Sequence, residues 1–179
     1  GDLSALNAPG IALVGSRDLN PKNTEFAKEV GRQAALQGYC LVSGNARGAD
    51  QTAQRSALAA GGQVISVVAD SLQKQPLTRN VLYLSLDGFD LDFSPQRALR
   101  RNHVIHTLAE LTVAAQCTLG KGGTWDGILH NLKNGWNPVC IFDDGRKGTL
   151  ELQNRGVQAI AASDLQNLAM LSRQNLNFI

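Results

Sequence analysis

Short apolar segments rich in β-forming residues alternate with helical segments along almost the whole chain, and this alternation restricts the fold more than any other feature. Residues 11–14 and 39–42, for example, are apolar, and the helical pattern of residues 24–37 separates them. A helix of about 10–15 residues between two strands is typical of a βαβ unit with parallel strands. Repetition of such units predicts a Rossmann-like, doubly wound α/β fold, with a mostly parallel sheet of about six or seven strands and helices on both faces.

Length and composition are consistent with one domain. The chain has 179 residues, of which 43% are hydrophobic, and this is enough to form a core without disulfides or metals. We therefore expect residues 1–179 to form a single Rossmann-like domain, with Thr24, Ser94 and Thr124 as N-caps of three helices. Predicted strands cover residues 11–14, 39–42, 64–68, 81–86, 111–115, 139–142 and 157–160, and predicted helices cover residues 24–37, 49–60, 96–110, 124–134 and 163–171.

Residues 41–50 (LVSGNARGAD) join a predicted strand to a predicted helix through a glycine-containing loop. Such a loop places free backbone N–H groups at a helix N-terminus, where anions bind. Its two glycines permit unusual dihedral angles and close approach of a ligand, and the guanidinium of Arg47 suits phosphate. Asp50 is expected to order the loop or to pair with Arg47. The loop therefore predicts a site for a phosphate-bearing ligand at Ser43, Gly44, Arg47, Gly48 and Asp50.

Two further glycine-containing loops follow predicted strands. Residues 15–17 (GSR) do not begin a G-x-G-x-x-G dinucleotide fingerprint, because Arg17 and Asn20 occupy the later glycine positions, so a simple turn and an anion site are equally compatible with them. Residues 120–124 (GKGGT) are not a Walker A loop, because Gly-Lys is not followed by Ser or Thr, and here an anion cradle is favoured over a plain turn. The candidate anion-binding residues in these loops are Gly15, Ser16, Arg17, Lys121, Gly122, Gly123 and Thr124.

Three arginines lie in the first two turns of the predicted helix 96–110. Arg97, Arg100 and Arg101 are three and four residues apart, so they can share one broad helix face. The helix macrodipole disfavours cations at these positions by about 0.3–1 kcal/mol each, and the three charges also repel one another. A phosphate-bearing ligand would compensate for this arrangement. The alternative is a solvated basic face or ion pairs with the aspartates of residues 87–92.

The remaining reactive residues do not point to a reaction. His103 and His106 are three residues apart, whereas zinc-binding pairs on a helix are usually four apart, so we expect surface or core roles and no metal site. Cys40, Cys117 and Cys140 lack metal-finger spacing. Cys40 and Cys140 lie in apolar strand-like runs and are expected to be buried free thiols, and a reducing cytoplasm is the expected compartment. No catalytic nucleophile and no cofactor is indicated. The sequence contains no apolar run of membrane-spanning length.

These motifs, in this order, resemble the DprA/Smf family of DNA-processing proteins, part of a wider group of Rossmann-like nucleotide-binding domains that includes the LOG cytokinin-activating hydrolases. The similar segments are residues 11–17 (IALVGSR), 41–50, 101–105 (RNHVI) and 148–157 (GTLELQNRGV). The resemblance implies binding of single-stranded DNA in a basic pocket at the strand ends, homodimers, and loading of the recombinase RecA during natural transformation. It assigns the pocket to Ser16, Arg17, Ser43, Gly44, Arg47, Arg101, Asn102 and Lys121.

The loop at residues 120–124 departs from the family pattern, because DprA/Smf proteins usually carry a Ser-Gly-Ser type loop there. The glycine-rich sequence looks more like the LOG loop, but a LOG-type hydrolase would place glutamate at position 127, where this chain has Gly127. Asp126 is one residue away and, on a helix, points about 100° away from that position.

Three functions follow from these observations. The leading one is a non-enzymatic module that binds single-stranded DNA, with limited base stacking because Phe93 and Trp125 are the only aromatic residues near the loops. The second is a sensor that binds one small nucleotide; the pocket motif predicts both functions, and the modest net charge of +2 slightly favours the sensor. The third is a LOG-like nucleotide phosphoribohydrolase, which needs Asp126 or Asp50 as its carboxylate. In the DNA-binding function, the phosphate-neutralising residues are Arg17, Arg47, Arg97, Arg100, Arg101 and Lys121.

Overall fold

The computed structural model describes residues 1–173 and confirms the α/β fold; the last six residues of the predicted domain lie outside the described part. Its strands are β1 (Gly10–Val14), β2 (Cys40–Ser43), β3 (Val64–Val67), β4 (Val81–Leu84), β5 (Leu111–Ala114), β6 (Val139–Phe142) and β7 (Gln158–Ile160). Its α-helices are α1 (Pro21–Leu36), α2 (Ala49–Ala59), α3 (Pro95–Thr107), α4 (Gly122–Asn134), α5 (Lys147–Asn154) and α6 (Leu168–Arg173). Short 3₁₀ helices cover Leu3–Asn7, Leu72–Lys74 and Ala162–Asn167.

All seven strands of this sheet are parallel, in the order β4-β3-β2-β1-β5-β6-β7. The chain builds one half of the sheet outward from β1 to β4 and then returns through α3 to place β5 on the other side of β1. Ile11 is consequently paired with both Leu41 and Leu111. The loops that follow β1 and β5 leave the sheet at the point where the strand order reverses, which is where open parallel sheets bind ligands.

Alternation along the buried strands divides the core into two layers. Ile11 and Leu13 of β1 belong to the layer covered by α1, α2 and α6, whereas Ala12 and Val14 belong to the layer covered by α3, α4 and α5. Helices α1 and α2 pack closely because position 31 is glycine: a Cβ atom there would overlap the carbonyl oxygen of Ala53. This packing fixes α2, and with it the loop that precedes α2.

Several predicted helix boundaries are wrong, for local reasons. Helix α1 begins at Pro21, because the side chain of Asn20 accepts a hydrogen bond from the Asn23 N–H at 2.8 Å; Thr24 is therefore not the N-cap. Thr124 is not an N-cap either, since α4 begins at Gly122 and has no side-chain cap. The cap at Ser94 is confirmed by its bond from the Arg97 N–H at 3.1 Å. Helix α5 was not predicted.

All three cysteines are free and buried, which confirms the expectation for Cys40 and Cys140. Burial raises the pKa of the Cys40 thiol to about 11 and the pKa values of Cys117 and Cys140 to about 12, so these thiols are protonated at neutral pH. Within residues 1–173, every helix is too short or too polar to cross a membrane.

Candidate functional site

Two adjoining clefts lie at the carboxyl edge of the sheet. The small cleft, of about 530 Å³, lies beside the loop of residues 44–47, and the large cleft, of about 800 Å³, extends from the loop after β1 to the N-terminus of α4. The residues that line both clefts are Arg17, Ala46, Phe93 and Arg101.

Arg101 is the central side chain of this site. It is only 8% exposed, and its Nη1 donates a hydrogen bond to the carbonyl oxygen of Val67 at 2.8 Å. Its Nε has no hydrogen-bond partner within residues 1–173. Burial lowers the pKa of Arg101 from 12.5, but a guanidinium still keeps its proton at neutral pH. A buried N–H that lacks an acceptor is costly. Because the charged guanidinium lines both clefts, the site suits a ligand that carries acceptor oxygens, such as a phosphate.

Gly44 makes room for the Arg101 guanidinium. A Cβ atom at position 44 would overlap Arg101 Nη1 and lie 2.7 Å from Nη2. The sequence predicted that glycine here would permit the close approach of a ligand; in the structure, the group that approaches is an arginine of the protein itself.

Asp50 orders the loop that precedes α2. Its buried carboxylate accepts hydrogen bonds from the N–H groups of Gly44 at 3.0 Å and Ala46 at 3.2 Å. Burial raises the pKa of Asp50, and the nearby Arg101 charge opposes this rise. The Ala49 N–H is also taken, by the Ser16 carbonyl oxygen at 3.2 Å. The prediction of free N–H groups is therefore wrong at these three positions.

The loops after β1 and β2 pack against each other. Gly48 has φ +88°, and a Cβ atom there would overlap the carbonyl oxygen of Arg17. Gly15 is equally confined, because its Cβ would lie 2.5 Å from the Cβ of Ala49. Ser16 lines the large cleft and donates its hydroxyl to the Gln116 carbonyl oxygen at 3.3 Å. The two loops thus form one wall that presents the exposed side chain of Arg17.

Arg47 and Ser43 of the predicted phosphate loop do not have the contacts that the sequence predicted. Arg47 lines the small cleft, but it is exposed and its Nη2 lies 3.4 Å from Asp18 Oδ1, so it does not pair with Asp50. Ser43 lines neither cleft. It is fully buried, and its hydroxyl accepts a hydrogen bond from Gln54 Nε2 at 2.6 Å.

The opposite wall of the large cleft is the N-terminus of α4. Asn102 holds this wall in place, because its Nδ2 donates to the Gly123 carbonyl oxygen at 3.1 Å. No side chain of residues 1–173 caps α4, so its first N–H groups are available to an anion. The predicted loop residues Lys121, Gly122, Gly123 and Thr124 all line the cleft.

The three arginines of α3 have three different surroundings. Arg97 is 12% exposed and is held by the loop before the helix: it contacts Asp87 Oδ2 at 3.0 Å, Ser85 Oγ at 3.1 Å, and the carbonyl oxygens of residues 91 and 92. Arg100 is 67% exposed, and its Nη1 lies 3.9 Å from Asp87 Oδ1. Neither lines a cleft. Ion pairing with upstream aspartate, the alternative weighed above, therefore describes Arg97 and Arg100, and Arg101 alone of the three faces the clefts.

Other side chains complete the site or lie away from it. Phe93 is half-exposed between the two clefts, whereas Trp125 lines neither and packs 5.6 Å from the Arg155 guanidinium. Arg146 lines the large cleft and was missed by sequence reasoning. Its place in the loop after β6 is the signal that could have identified it.

Asp126 lines neither cleft, and its Oδ1 lies 3.5 Å from His130 Nδ1.

The fold and this site define a Rossmann-like domain with a cationic cleft at the point where the strand order reverses, a class that binds ligands carrying phosphate groups. Within this class, the chain belongs to the DNA recombination-mediator protein A family, whose model matches residues 1–171. A comparison with curated proteins gave no match.

Solved structures of DNA processing protein A (DprA) are similar to this chain. The protein from Streptococcus pneumoniae is 24% identical, with a TM-score of 0.81 over 95% of this chain and 64% of its own. The chain therefore spans less than two thirds of that relative. The protein from Helicobacter pylori, for which a unique single-stranded DNA binding mode is described, is 26% identical, with a TM-score of 0.83 over 95% of this chain and 84% of its own.

A molybdenum cofactor binding protein from Rippkaea orientalis shares the fold. It is 22% identical, with a TM-score of 0.69 over 91% of this chain and 96% of its own.

Proposed function

We propose that this domain binds single-stranded DNA without catalysing a reaction, with backbone phosphates in the two clefts. The observation that carries the proposal is the buried Arg101, a permanently charged side chain that lines both clefts. A phosphate oxygen accepts a hydrogen bond from a guanidinium, and its negative charge would add to that of the nearby Asp50 carboxylate.

The cations around Arg101 support binding of several phosphates rather than one. Exposed Arg17 lies beside both clefts, Arg47 borders the small cleft, and Lys121 and Arg146 border the large cleft. Charges distributed in this way track a nucleic-acid backbone and make affinity depend steeply on salt.

Phe93 supports a preference for single strands. Its half-exposed ring lies between the two clefts. A base can stack on such a ring only when it is released from a duplex, and each stacked base contributes about 1–3 kcal/mol. The relative from Helicobacter pylori, for which a single-stranded DNA binding mode is described, favours the same ligand.

A sensor of one small nucleotide is the second candidate. The large cleft, at about 800 Å³, falls within the size range of small-ligand sites. The hydrolase is not proposed, because Asp126 lines neither cleft and both Asp50 hydrogen bonds go to backbone N–H groups. The homodimer and the RecA-type partner stay predictions from the family resemblance, which light scattering and a pull-down with the recombinase would test.

The test is fluorescence anisotropy of a labelled oligothymidine with the wild-type protein and with Arg101→Gln, over a series of salt concentrations. The matched control is Arg100→Ala, which removes an exposed arginine from the same helix outside the clefts. Duplex DNA and mononucleotides serve as competitors. We expect tight, salt-dependent binding by the wild type and by the Arg100 variant, and at least about tenfold weaker binding by Arg101→Gln.

Two outcomes would contradict the proposal. Equal affinity of the Arg101 and Arg100 variants would remove Arg101 from the binding site. Binding of a mononucleotide without binding of the oligonucleotide would favour the nucleotide sensor instead.

A further inference from the structure

A second cluster of polar side chains lies on α3 and α4, outside the two clefts. His103 of α3 meets Asp126 and His130 of α4, and one nitrogen or oxygen atom from each residue lies within 4.8 Å of those from the other two. The rings of His103 and His130 have centroids 4.8 Å apart, and His130 Nδ1 lies 3.5 Å from Asp126 Oδ1. None of the three residues lines a cleft.

We propose that His103, Asp126 and His130 bind a divalent transition-metal ion of the Zn²⁺ type, which links α3 to α4. Two imidazoles and one carboxylate are the donors that Zn²⁺ uses when three protein ligands leave a fourth position open to water. The same set disfavours Mg²⁺ and Ca²⁺, which prefer oxygen ligands.

The local geometry prepares the ligands for the metal. His130 Nδ1 lies 2.9 Å from the carbonyl oxygen of Asp126, which can only accept a hydrogen bond. The tautomer with the proton on Nδ1 satisfies this contact and leaves the Nε2 lone pair for a metal. Asp126 and His130 are also one helical turn apart, the spacing that places two ligands on one face.

Binding requires only a small adjustment. Tetrahedral coordination with bonds of about 2.0–2.1 Å places ligand atoms about 3.3 Å apart, so the three groups must approach one another from their present separations. Each side chain is partly exposed, with about 45% of the Asp126 and 44% of the His130 side chain accessible. Because the three side chains are not packed in the core, rotation about their bonds can bring the ligand atoms closer together.

The position of the site lets a bound ion connect α3 to α4. His103 directly follows Arg101 and Asn102, and Asn102 holds the N-terminus of α4 through the Gly123 carbonyl oxygen. An ion held by both helices strengthens this connection, which forms one wall of the large cleft. The inference does not depend on the identity of the ligand in the clefts.

The test is calorimetric titration of ZnCl₂ into the untagged full chain after chelator treatment, because a histidine tag would itself bind zinc. We expect one equivalent to bind, with a rise in melting temperature, and the affinity to fall at least about tenfold in His103→Gln and His130→Gln. Glu110→Gln, which removes an exposed carboxylate outside the cluster, and titration with MgCl₂ are the controls. Melting curves without metal establish that each variant is folded.

A second readout locates the ion. The ring of Trp136 lies 5.2 Å from that of His103. In a Trp125→Phe background, Cu²⁺ should quench the Trp136 fluorescence, and His103→Gln should abolish the quenching. The proposal is overturned if the wild type takes up no zinc, or if the double variant His103→Gln/His130→Gln binds zinc as tightly as the wild type.

Discussion

Helix α3 carries two buried basic side chains, and they have opposite roles. Arg101 lies near the carboxyl edge of the sheet and lines both clefts, whereas His106 lies near the amino edge and lines no cleft. Within residues 1–173, each has one buried nitrogen without a hydrogen-bond partner, Nε of Arg101 and Nε2 of His106. Burial and an unpartnered nitrogen therefore do not by themselves distinguish a ligand site from a core position.

Proton chemistry makes the difference. A guanidinium cannot discharge in a protein, so burial leaves a positive charge that requires an acceptor. The imidazole of His106 can lose its proton, and burial lowers its pKa from 6.5 to about 4. At neutral pH it is an uncharged core group, with Nδ1 3.0 Å from Thr112 Oγ1 and 3.2 Å from Asn131 Nδ2. A buried base that cannot become neutral indicates a ligand site when, like Arg101, it also lines a cleft.

The largest effect is expected from Gly44→Ala, which leaves Arg101 in the chain but displaces its guanidinium. A methyl group at position 44 overlaps Arg101 Nη1, so we expect affinity for single-stranded DNA to fall by about 10–100-fold. Anisotropy titration measures the loss, and circular dichroism verifies the fold. In the control Gly88→Ala, the methyl group meets no atom closer than 3.5 Å. If Gly44→Ala binds single-stranded DNA as tightly as the wild type does, the Arg101 guanidinium is not part of the DNA-binding site.

The pH dependence of stability tests whether His106 is an uncharged core group in the folded protein. Burial lowers the pKa of His106 in the folded protein from 6.5 to about 4. Between these two pH values the unfolded chain therefore binds more protons than the folded protein does. The free energy of unfolding consequently decreases as the pH falls from about 6.5 to about 4. The resulting decrease in the free energy of unfolding is about 2 kcal/mol between pH 7 and pH 5. Urea unfolding of His106→Gln should lack this decrease, whereas His103→Gln, with chelator present, should retain it. Equal slopes for the two variants would show that His106 is not the responsible group.

Arg97 and Arg100 are expected to contribute differently to the stability of the fold. Arg97→Ala removes several hydrogen bonds that hold the loop of residues 85–92, so we expect the free energy of unfolding to fall by about 1–2 kcal/mol. Arg100→Ala should change it by less than about 0.5 kcal/mol, because this side chain is exposed. Urea unfolding compares the two variants directly, and equal losses would contradict the assignment of Arg97 as the loop anchor.

The smallest effect is expected from Lys121→Ala. This exposed cation borders the large cleft, and its removal should weaken DNA binding about threefold and reduce the salt slope by about 0.7, the value for one phosphate contact with a single strand. The salt series measures both quantities. A loss as large as that of Gly44→Ala would mean that the exposed wall, rather than the buried arginine, dominates binding.

The sequence by itself determined the strand and helix alternation, the parallel sheet and the meeting of glycine-containing loops at its carboxyl edge. These features depend on residues close together in the chain: apolar periodicity, helix breakers, and caps such as Ser94. The start of α1 was missed although its signal is local, because Asn20 is a better N-cap than Thr24 and Pro21 is favoured at the first helical position. Helix α5 was missed because its eight residues are too few to establish a helical periodicity.

Only the tertiary structure decided which residues of the site face a ligand. Arg97, Arg100 and Arg101 are equivalent by spacing, but Arg97 finds Asp87 and Ser85, whereas Arg101 is held by the carbonyl oxygen of Val67, 34 positions away in the chain. Likewise, His103 meets Asp126 and His130 because α3 packs on α4. Local patterns follow from the covalent geometry and propensities of neighbouring residues. The partner of a charged side chain depends instead on which distant groups the completed fold brings within hydrogen-bond distance, and on whether burial leaves that charge compensated.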